Sequence, residues 1–430
     1  MRMQRAMVPT WACGALACLV GLMGCEEPPV TSGLMAPIDE NCTITVVHSD
    51  YGSTSVSLLD DDGTLCADNI VHSGSQPMGL VTALSGDVVL PSTPHPSGWI
   101  TLIDRHPHAV LSFIDPVTGR MQGQLPVGIS FPANPHDVAF ISEALALITR
   151  HKTQIDSAEE PTGNSDGGDL LLFDPIGLEI TGRIDLNQEA DRGGTVAWDP
   201  MPDRVVLVGG LVWVSLNHLS RDFMKGGPGR VVAIDPHTEQ IVHRLELPDR
   251  SNCGPMVRTV TSDLTPSDDG FWLICTGVFA QGHALQMEKS ALVYVDVTQE
   301  EPQVEYTLPA SALGAGPLGF GLAPLGPDTV AVVSLGSLNP HRSDTLWSVN
   351  RITGEIQGPA MEGVAFSLNQ LLTIPDTRIL LVTSADPQIP RVRRIPILNG
   401  QLTEALSPVF TNPSVGLEPR HLQRFRQGNP

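Results

Sequence analysis

One pattern recurs along this 430-residue chain: an apolar, strand-forming run that ends in Asp or Asn and a turn. Its clearest copies, at successive intervals of 59, 61, 61 and 54 residues, end at Asp115, Asp174, Asp235, Asp296 and Asn350. Asp60, 55 residues before the first copy, and Ile395, 45 residues after the last, mark two further units. Repeats of this length indicate an array of supersecondary units. The 3.6-residue period of helices is absent, so the units are built from strands.

Four strands can be predicted within each unit. The first follows a proline, as in Pro135–Phe140, and the second is almost wholly apolar, as in residues 205–208 and 330–333. The third ends at the Asp turn, and the fourth is mixed and polar, as in residues 179–186. A strand covered on both faces is apolar throughout, whereas an outer strand needs polar side chains that deter edge pairing. The Asp side chain can cap the backbone two residues on and so favours the hairpin.

Four-stranded antiparallel sheets repeated around an axis describe an all-β, seven-bladed β-propeller. The first unit, which begins at Cys42, supplies only three strands, and residues 418–422 near the C-terminus resemble residues 134–138 at the start of an inner strand. We therefore expect the two ends of the chain to pair in one blade and close the ring, with six or eight blades as the alternatives. The propeller is predicted over residues 41–426, with blades at about 41–74 plus 414–426, 76–128, 132–187, 193–248, 255–309, 316–361 and 363–410.

The turn at residues 115–119, Asp-Pro-Val-Thr-Gly, and the prolines before the inner strands resemble the YVTN-type seven-bladed propellers of exported bacterial surface proteins. They resemble PQQ-type and lactonase-type propellers less closely. The resemblance covers nearly all of residues 41–426, although the Tyr-Val-Thr-Asn tetrapeptide is missing and the turn becomes Asn-Arg-Ile-Thr-Gly at residues 350–354. It implies an exported propeller, a fold that hosts both enzymes and binding scaffolds.

The N-terminus has the features of a targeting segment. Arg2 and Arg5 precede a short apolar stretch over residues 8–22, which is too short for a comfortable membrane span. The stretch ends in Leu-Met-Gly-Cys at residues 22–25 and resembles the lipobox of bacterial lipoproteins. The resemblance implies a signal peptide over residues 1–24, lipidation of Cys25 and a flexible tether over residues 25–40. It also favours the outer membrane of a Gram-negative bacterium, facing the periplasm or the surface. The alternative is an ordinary secretory signal with a chance cysteine.

Four cysteines remain after the predicted lipidation site. Export to an oxidising compartment favours two local disulfides, Cys42–Cys66 and Cys253–Cys275. A four-thiolate metal site is the alternative, but no C-x-x-C spacing supports it.

The formal net charge is −22, with 25 basic and 47 acidic residues. Binding to nucleic acid needs a basic face that neutralises phosphates, so we expect no nucleic-acid partner. The lipid anchor in the membrane and a protein or glycan are the partners that the sequence favours.

Long connections between the second and third strands are predicted on one face of the ring, at about residues 92–109, 150–167, 211–229, 276–289 and 335–343. Long loops on one side of a rigid scaffold usually carry binding. The starts of the inner strands should ring the channel mouth on this face with Met78, His136, Asp137, Met256, Arg258, Arg420 and His421. His136 beside Asp137 could act as an oriented base, and the arginines could clamp a carboxylate. Alternatively, these side chains bond strand-end carbonyls and water.

Two further groups could hold a metal. His95, His106 and His108 have a spacing suited to zinc or copper, although the neighbouring prolines favour an exposed, solvated loop. Asp60-Asp61-Asp62-Gly63 and residues 164–169 offer oxygen ligands for calcium, but Asp-Gly is also a common hairpin turn. We expect no cofactor, with calcium, zinc or copper as the alternatives.

These observations favour a membrane-anchored, exported lipoprotein that acts as a non-catalytic binding scaffold for a protein, glycan or envelope component. The alternative is a lactonase-like or quinoprotein-like enzyme with its site at the mouth of the central channel. Copper binding or electron transfer through the histidine loop is a third hypothesis.

Overall fold

The computed structural model describes residues 38–128, 131–153 and 167–426. Within these ranges, seven four-stranded antiparallel sheets are arranged as a β-propeller, which confirms the predicted fold class. The predicted signal peptide, the lipidation site Cys25 and nearly all of the predicted tether lie outside the described residues.

The strands are numbered in chain order. Blades 1 and 2 contain β1 Ile44–Ser49, β2 Thr54–Leu59, β3 Leu65–His72, β4 Val88–Val89, β5 Ile100–Asp104, β6 Val110–Asp115 and β7 Arg120–Pro126. Blades 3 and 4 contain β8 Pro135–Phe140, β9 Ala146–Thr153, β10 Gly167–Asp174, β11 Glu179–Asp185, β12 Pro202–Val208, β13 Leu211–Leu216, β14 Gly229–Asp235 and β15 Gln240–Leu247.

Blade 5 and the four-stranded sheet of blade 6 contain β16 Cys253–Val260, β17 Pro266–Cys275, β18 Ala291–Asp296, β19 Gln303–Pro309, β20 Leu318–Pro324, β21 Thr329–Ser334, β24 Asp344–Asn350 and β25 Ile356–Gly363, with a small hairpin of β22 Ser337–Leu338 and β23 His341–Arg342. Blade 7 contains β26 Leu368–Ile374, β27 Ile379–Ser384, β28 Arg391–Leu398 and β29 Gln401–Leu402, and β30 is Pro419–Arg424. The described helices are α1 His283–Lys289 and the 3-10 turns Asn187–Glu189, Phe279–Gln281 and Ala310–Leu313.

The two ends of the chain share blade 1. Its strand order is β3-β2-β1-β30, so the C-terminal strand supplies the inner strand. Val46 lies opposite Leu422 in the antiparallel register. Both residues pack in a buried cluster with Ile374, Leu381 and Val392 of blade 7. The predicted closure of the ring is confirmed, and it joins the first blade to the last through backbone pairing and apolar burial together.

Burial follows the predicted gradient across a blade. All six residues of β2, a third strand, are buried, whereas β7 at an outer edge has one buried residue, Leu125, among exposed and partly buried ones. The Asp turns also have the expected geometry. The carboxylate of Asp115 accepts hydrogen bonds from the backbone N–H of Val117, at 2.8 Å, and the hydroxyl of Thr118, at 2.7 Å. Backbone donors of the same kind hold the pKa of Asp174 below its ordinary value.

Two blades differ from the strand assignment made on sequence. In blade 2, residues 92–109 are not one loop, because they contain β5, the second strand. In blade 4, residues 205–208 belong to the first strand, and the second strand, β13, occupies part of the predicted loop 211–229. Gly209 and Gly210, at φ values of 61° and 76°, form a tight turn between β12 and β13. Such a glycine pair accepts positive φ without strain and is a hairpin signal.

Both predicted disulfides are present, Cys42–Cys66 in blade 1 and Cys253–Cys275 between the first two strands of blade 5. Cys253 and Cys275 lie directly opposite each other in the register of β16 and β17.

The two faces of the ring differ. We call the face that carries the connections between second and third strands the upper face, and the opposite face the lower face. The backbone N–H of Ile38 donates to the carbonyl of Pro116, 2.9 Å away in a lower-face turn. At the other end of the chain, Arg424 pairs with Asp61 and Asp376, which also lie in lower-face turns. Both ends of the described propeller therefore leave on the lower face. Within the described residues, no helix combines the length and apolar character needed to cross a membrane.

Candidate functional site

A cavity of about 380 Å³ opens at the centre of the upper face. It is lined by side chains of the inner strands and by residues that follow the second strands. Its charged and imidazole-bearing residues are Arg105, His136, Asp203, Arg204, Arg420 and His421. A volume of this order suits a small molecule rather than a macromolecule.

Four of the seven residues predicted at the channel mouth line this cavity: His136, Met256, Arg420 and His421. Met78, Asp137 and Arg258 do not. Met78 lies in the connection before β4, with 71% of its surface exposed. The carbonyl oxygen of the Gln124 side chain accepts the backbone N–H groups of Val81 and Thr82, which fastens this connection to the outer strand β7 rather than to the channel. The sequence predicts an inner strand there because Pro77 precedes it, as prolines precede the other inner strands.

Arg258 lies at the other end of its inner strand. Its guanidinium donates to the carbonyl of Ser267, at 2.8 Å, and to the carboxylate of Asp268, at 2.7 Å, beside the turn between β16 and β17. That turn is on the lower face. Because β16 begins at Cys253, five residues before Arg258, the strand carries this side chain away from the mouth.

Asp137 is fully buried and connects three blades. One carboxylate oxygen accepts the backbone N–H of Ser92 at 2.6 Å, and the other accepts the Ser92 hydroxyl and the backbone N–H of Val205, the latter at 2.9 Å. Burial raises the pKa of Asp137. Its oxygens satisfy donors of the neighbouring blades, so its place in the fold is structural and it does not orient His136.

The carboxylate that contacts His136 is Asp203, on the inner strand of blade 4. Nδ1–H of His136 donates to Oδ1 of Asp203 at 2.8 Å, and the side-chain amide of Asn134 donates to Nε2 at 3.0 Å. The pKa of His136 is lowered to about 3. Burial is the largest cause, and the neighbouring His151 is the second. Burial alone would raise the pKa of Asp203, but the hydrogen bond from His136 and then neighbouring positive charge, including that of Arg204, hold it well below its ordinary value. His136 is therefore a neutral imidazole with both nitrogens engaged.

A second imidazole lies against the first. The rings of His136 and His151 are stacked at 4.0 Å between centroids, and the ring of Phe223 is parallel to His151 at 6.1 Å. Nε2 of His151 bonds the carbonyl oxygen of Asn217 at 2.8 Å. The stack extends from the half-exposed Phe223 on the upper face to the wall of the cavity. It fixes the plane of His136.

The histidine loop of blade 2 does not gather around one point. His95 is buried and stacked on Trp99 at 4.6 Å, with Nε2 bonded to the carbonyl of Pro175. His108 contacts Asp104 at 3.2 Å, and His106 precedes a cis proline. Across the described residues, no group of three or more His, Cys, Asp or Glu side chains is arranged to hold a metal ion.

The Asp-Gly run of blade 1 is a hairpin turn. The carboxylate of Asp60 accepts the backbone N–H of Asp62 at 3.0 Å and of Thr64 at 2.7 Å. Of the second oxygen-rich segment, residues 164–166 lie outside the described ranges, and Asp169 is buried in an ion pair with Arg150.

Three charged residues of the cavity were not predicted: Arg105, Asp203 and Arg204. Residues 202–204, Pro-Asp-Arg, occupy the same place in blade 4 as Pro135, His136 and Asp137 in blade 3. Pro202 marks the start of this inner strand as Pro135 does in blade 3. The prediction that residues 205–208 form the second strand conceals this signal. Arg105 follows the second strand of blade 2, whereas the sequence predicts a loop over residues 92–109.

No protein-family model matches the sequence, and the search of curated proteins returned no match. The fold is similar to that of solved propellers. One is a periplasmic gluconolactonase from Pseudomonas aeruginosa, with a TM-score of 0.56 and 13% identity over 89% of this chain and 98% of that one. Another is a candidate 6-phosphogluconolactonase from Bacteroides uniformis, with a TM-score of 0.56 and 12% identity over 90% and 99%. At this level of identity the similarity establishes the fold alone. The chain is a seven-bladed β-propeller with a polar, arginine-lined central cavity.

Proposed function

We propose that this chain is an exported, lipid-anchored propeller that binds a protein, glycan or other envelope component through its upper face, without catalysing a reaction. The lipobox-like sequence that ends at Cys25 supports export and anchoring. The observation that carries the proposal is the bonding of His136. Its Nδ1–H is donated to Asp203 and its Nε2 lone pair accepts the amide of Asn134, so the imidazole is occupied by the protein itself. A general base needs a lone pair within reach of a substrate proton.

The upper face also offers apolar contact area around the cavity. Phe223, Met224 and Phe279 follow second strands and are each about half exposed, at 46%, 52% and 47%. Phe279 reaches Phe366 at the start of blade 7, with ring centroids 6.3 Å apart. Exposed aromatic side chains near a cavity are typical of binding surfaces.

We expect replacement of Phe223, Met224 and Phe279 together by Ser to lower recovery of the partner from detergent extracts of the native envelope by at least tenfold. The matched control replaces Val117, Ile176 and Ile352, which are exposed at 67%, 46% and 66% on lower-face turns. Quantitative mass spectrometry of the captured material, including its glycans, measures the difference. Equal recovery by wild type and both variants would contradict the proposal. Membrane anchoring is checked in the same cells, where Cys25→Ser should move the chain to the soluble fraction.

Lactone hydrolysis is the second candidate function. The hydrogen-bonded His136–Asp203 pair beside arginines favours it, and similar folds carry the names of gluconolactonases. In such a reaction His136 would have to release Asn134 before its Nε2 could take a proton from water. We expect no turnover of sugar lactones by the purified chain. Hydrolysis by the wild type that is lost in His136→Gln would establish this second function instead.

A further inference from the structure

We propose that the central cavity recognises the carboxylate or phosphate group of a hydroxylated, sugar-sized ligand, and that Arg105, Arg204 and Arg420 hold that group. This inference rests on the proposed function and specifies the chemistry of the same site: the anionic sugar would be free or the terminal unit of an envelope glycan.

Two of the arginines are held in place by the protein. Nε and Nη2 of Arg105 both donate to one oxygen of Asp87, at 3.0 and 2.5 Å. Nε of Arg420 donates to the carbonyl of Ser49 at 3.0 Å, and its guanidinium lies over the ring of Tyr51 at 4.7 Å. Such anchoring reduces the entropy that each side chain would lose when it binds a ligand. Within the described residues, Nη1 of each has no hydrogen-bond partner.

Arg204 has more free donors than the other two. Its nearest charged group is Asp203, with Nε 4.0 Å from Oδ1, which is beyond hydrogen-bonding distance. Asp203 is already bonded to His136 and Asn217. Both terminal nitrogens of Arg204 are without a partner in the described part of the chain. A planar guanidinium with two free parallel N–H groups matches the geometry of a carboxylate or phosphate.

The charged side chains that line the cavity are net positive, three arginines against Asp203, although the whole chain is strongly acidic. His421, on β30, lies between the arginines, and its pKa is held well below its ordinary value first by burial and then by the charges of Arg105, Arg204 and Arg420. The carboxylates that pair with Arg105 and Arg420 lie behind them and do not line the cavity. Because three arginines and one carboxylate line the cavity, an entering anion is attracted rather than repelled.

The neighbouring polar groups suit hydroxyls. Nδ1–H of His421 and the backbone N–H of Leu422 both donate to the side-chain carbonyl of Gln370, each at 3.2 Å. This arrangement leaves an acceptor at Nε2 of His421 and a donor at Nε2 of Gln370, neither of which has a partner among the described residues. A sugar hydroxyl both donates and accepts, so it can use the two together. Phe320, 55% exposed in the cavity wall, offers an apolar face to the ring.

The test is isothermal titration of the purified chain with D-glucuronate, D-glucose 6-phosphate, inorganic phosphate and D-glucose at low ionic strength. Glucuronate and glucose 6-phosphate each add one anionic group to the same sugar skeleton. We expect at least one of them to bind, with Kd at least tenfold below that of glucose and of inorganic phosphate. Binding of glucuronate alone would assign a carboxylate ligand, and binding of glucose 6-phosphate alone a phosphate ester. Binding of inorganic phosphate as tightly as either sugar anion would indicate an adventitious ion only and overturn the inference.

Arg204→Gln should weaken binding of the preferred sugar anion at least tenfold. The matched control is Arg258→Gln, which removes an inner-strand arginine from the lower face and should leave Kd unchanged. Thermal unfolding verifies that each variant is folded, and Arg105→Gln replaces Arg204→Gln if the latter is not. Equal affinity in wild type and Arg204→Gln, or no binding of either sugar anion, would contradict the inference. The proposal that the upper face binds an envelope partner would not be contradicted in that case, because the capture experiment with Phe223, Met224 and Phe279 measures it independently.

Discussion

A chain that ends before residue 418 should lose the cooperative unfolding transition of the propeller. The truncation removes β30, and with it the inner strand of blade 1 and the backbone partner of β1. Leu422 and Phe425 are each 1% exposed, and the loss of such side chains costs about 2 to 5 kcal/mol each. The unpaired edge of β1 adds to this cost. Together these losses approach the whole stability of a typical domain, about 5 to 15 kcal/mol.

Circular dichroism during thermal and urea unfolding measures the outcome. The control is a chain that ends at Arg426, which keeps β30 and its contacts and should unfold at the same temperature as the full chain. A chain that ends before residue 418 and still unfolds within about 2 °C of the control, a shift equivalent to about 2 kcal/mol for a chain of this size, would show that the ring does not depend on its closure.

Asp137→Ala should lower the free energy of unfolding by about 3 to 5 kcal/mol. The substitution leaves the donors of Ser92 and Val205 buried without their acceptor, and an unsatisfied buried donor costs about 1 to 3 kcal/mol. These donors belong to the blades on either side of blade 3. The substitution therefore removes the hydrogen bonds that Asp137 makes to both neighbouring blades.

Asp115→Ala is the matched control, because it also replaces an aspartate by alanine but removes a carboxylate that lies in a lower-face turn. Its cost should be about 1 kcal/mol, that of hydrogen bonds that water can replace. Urea titration of both variants provides the comparison. If the two substitutions cost the same, Asp137 does not connect the blades as described. Sugar-anion binding by a folded Asp137→Asn chain would further separate this structural role from a role at the mouth.

The sequence predicted the features that depend on local patterns repeated along the chain. The Asp turns and the polar outer strands follow from periods and turn chemistry that neighbouring residues determine, and the pairing of the two ends follows from the strand that the first unit lacks. The two disulfides followed from cysteine number and compartment. Four of the seven predicted mouth residues line the cavity because a proline marks the upper end of the inner strand in blades 1, 3 and 5, as His421, His136 and Met256 show.

What the sequence did not reveal depends on contacts between distant segments. Pro77 precedes Met78 as prolines precede the inner strands, and only the hydrogen bonds from Val81 and Thr82 to Gln124 place this segment at the outer edge. The pairing of His136 with Asp203 joins residues 67 positions apart in two blades. The anchoring of Arg105 by Asp87 likewise depends on how two connections of blade 2 meet. No local period or spacing in the sequence predicts any of these contacts.

The exit of both chain ends on the lower face determines how the molecule can be oriented. Twelve residues lie between Cys25 and Ile38, so the two can be at most about 45 Å apart when the chain between them is fully extended. A lipid on Cys25 would thus be joined to the propeller at the lower face, on the side opposite to the arginine-lined mouth. The position of the two chain ends also matters for binding measurements on an immobilised protein. Attachment through either end keeps the cavity accessible, whereas coupling through upper-face loops would obstruct it.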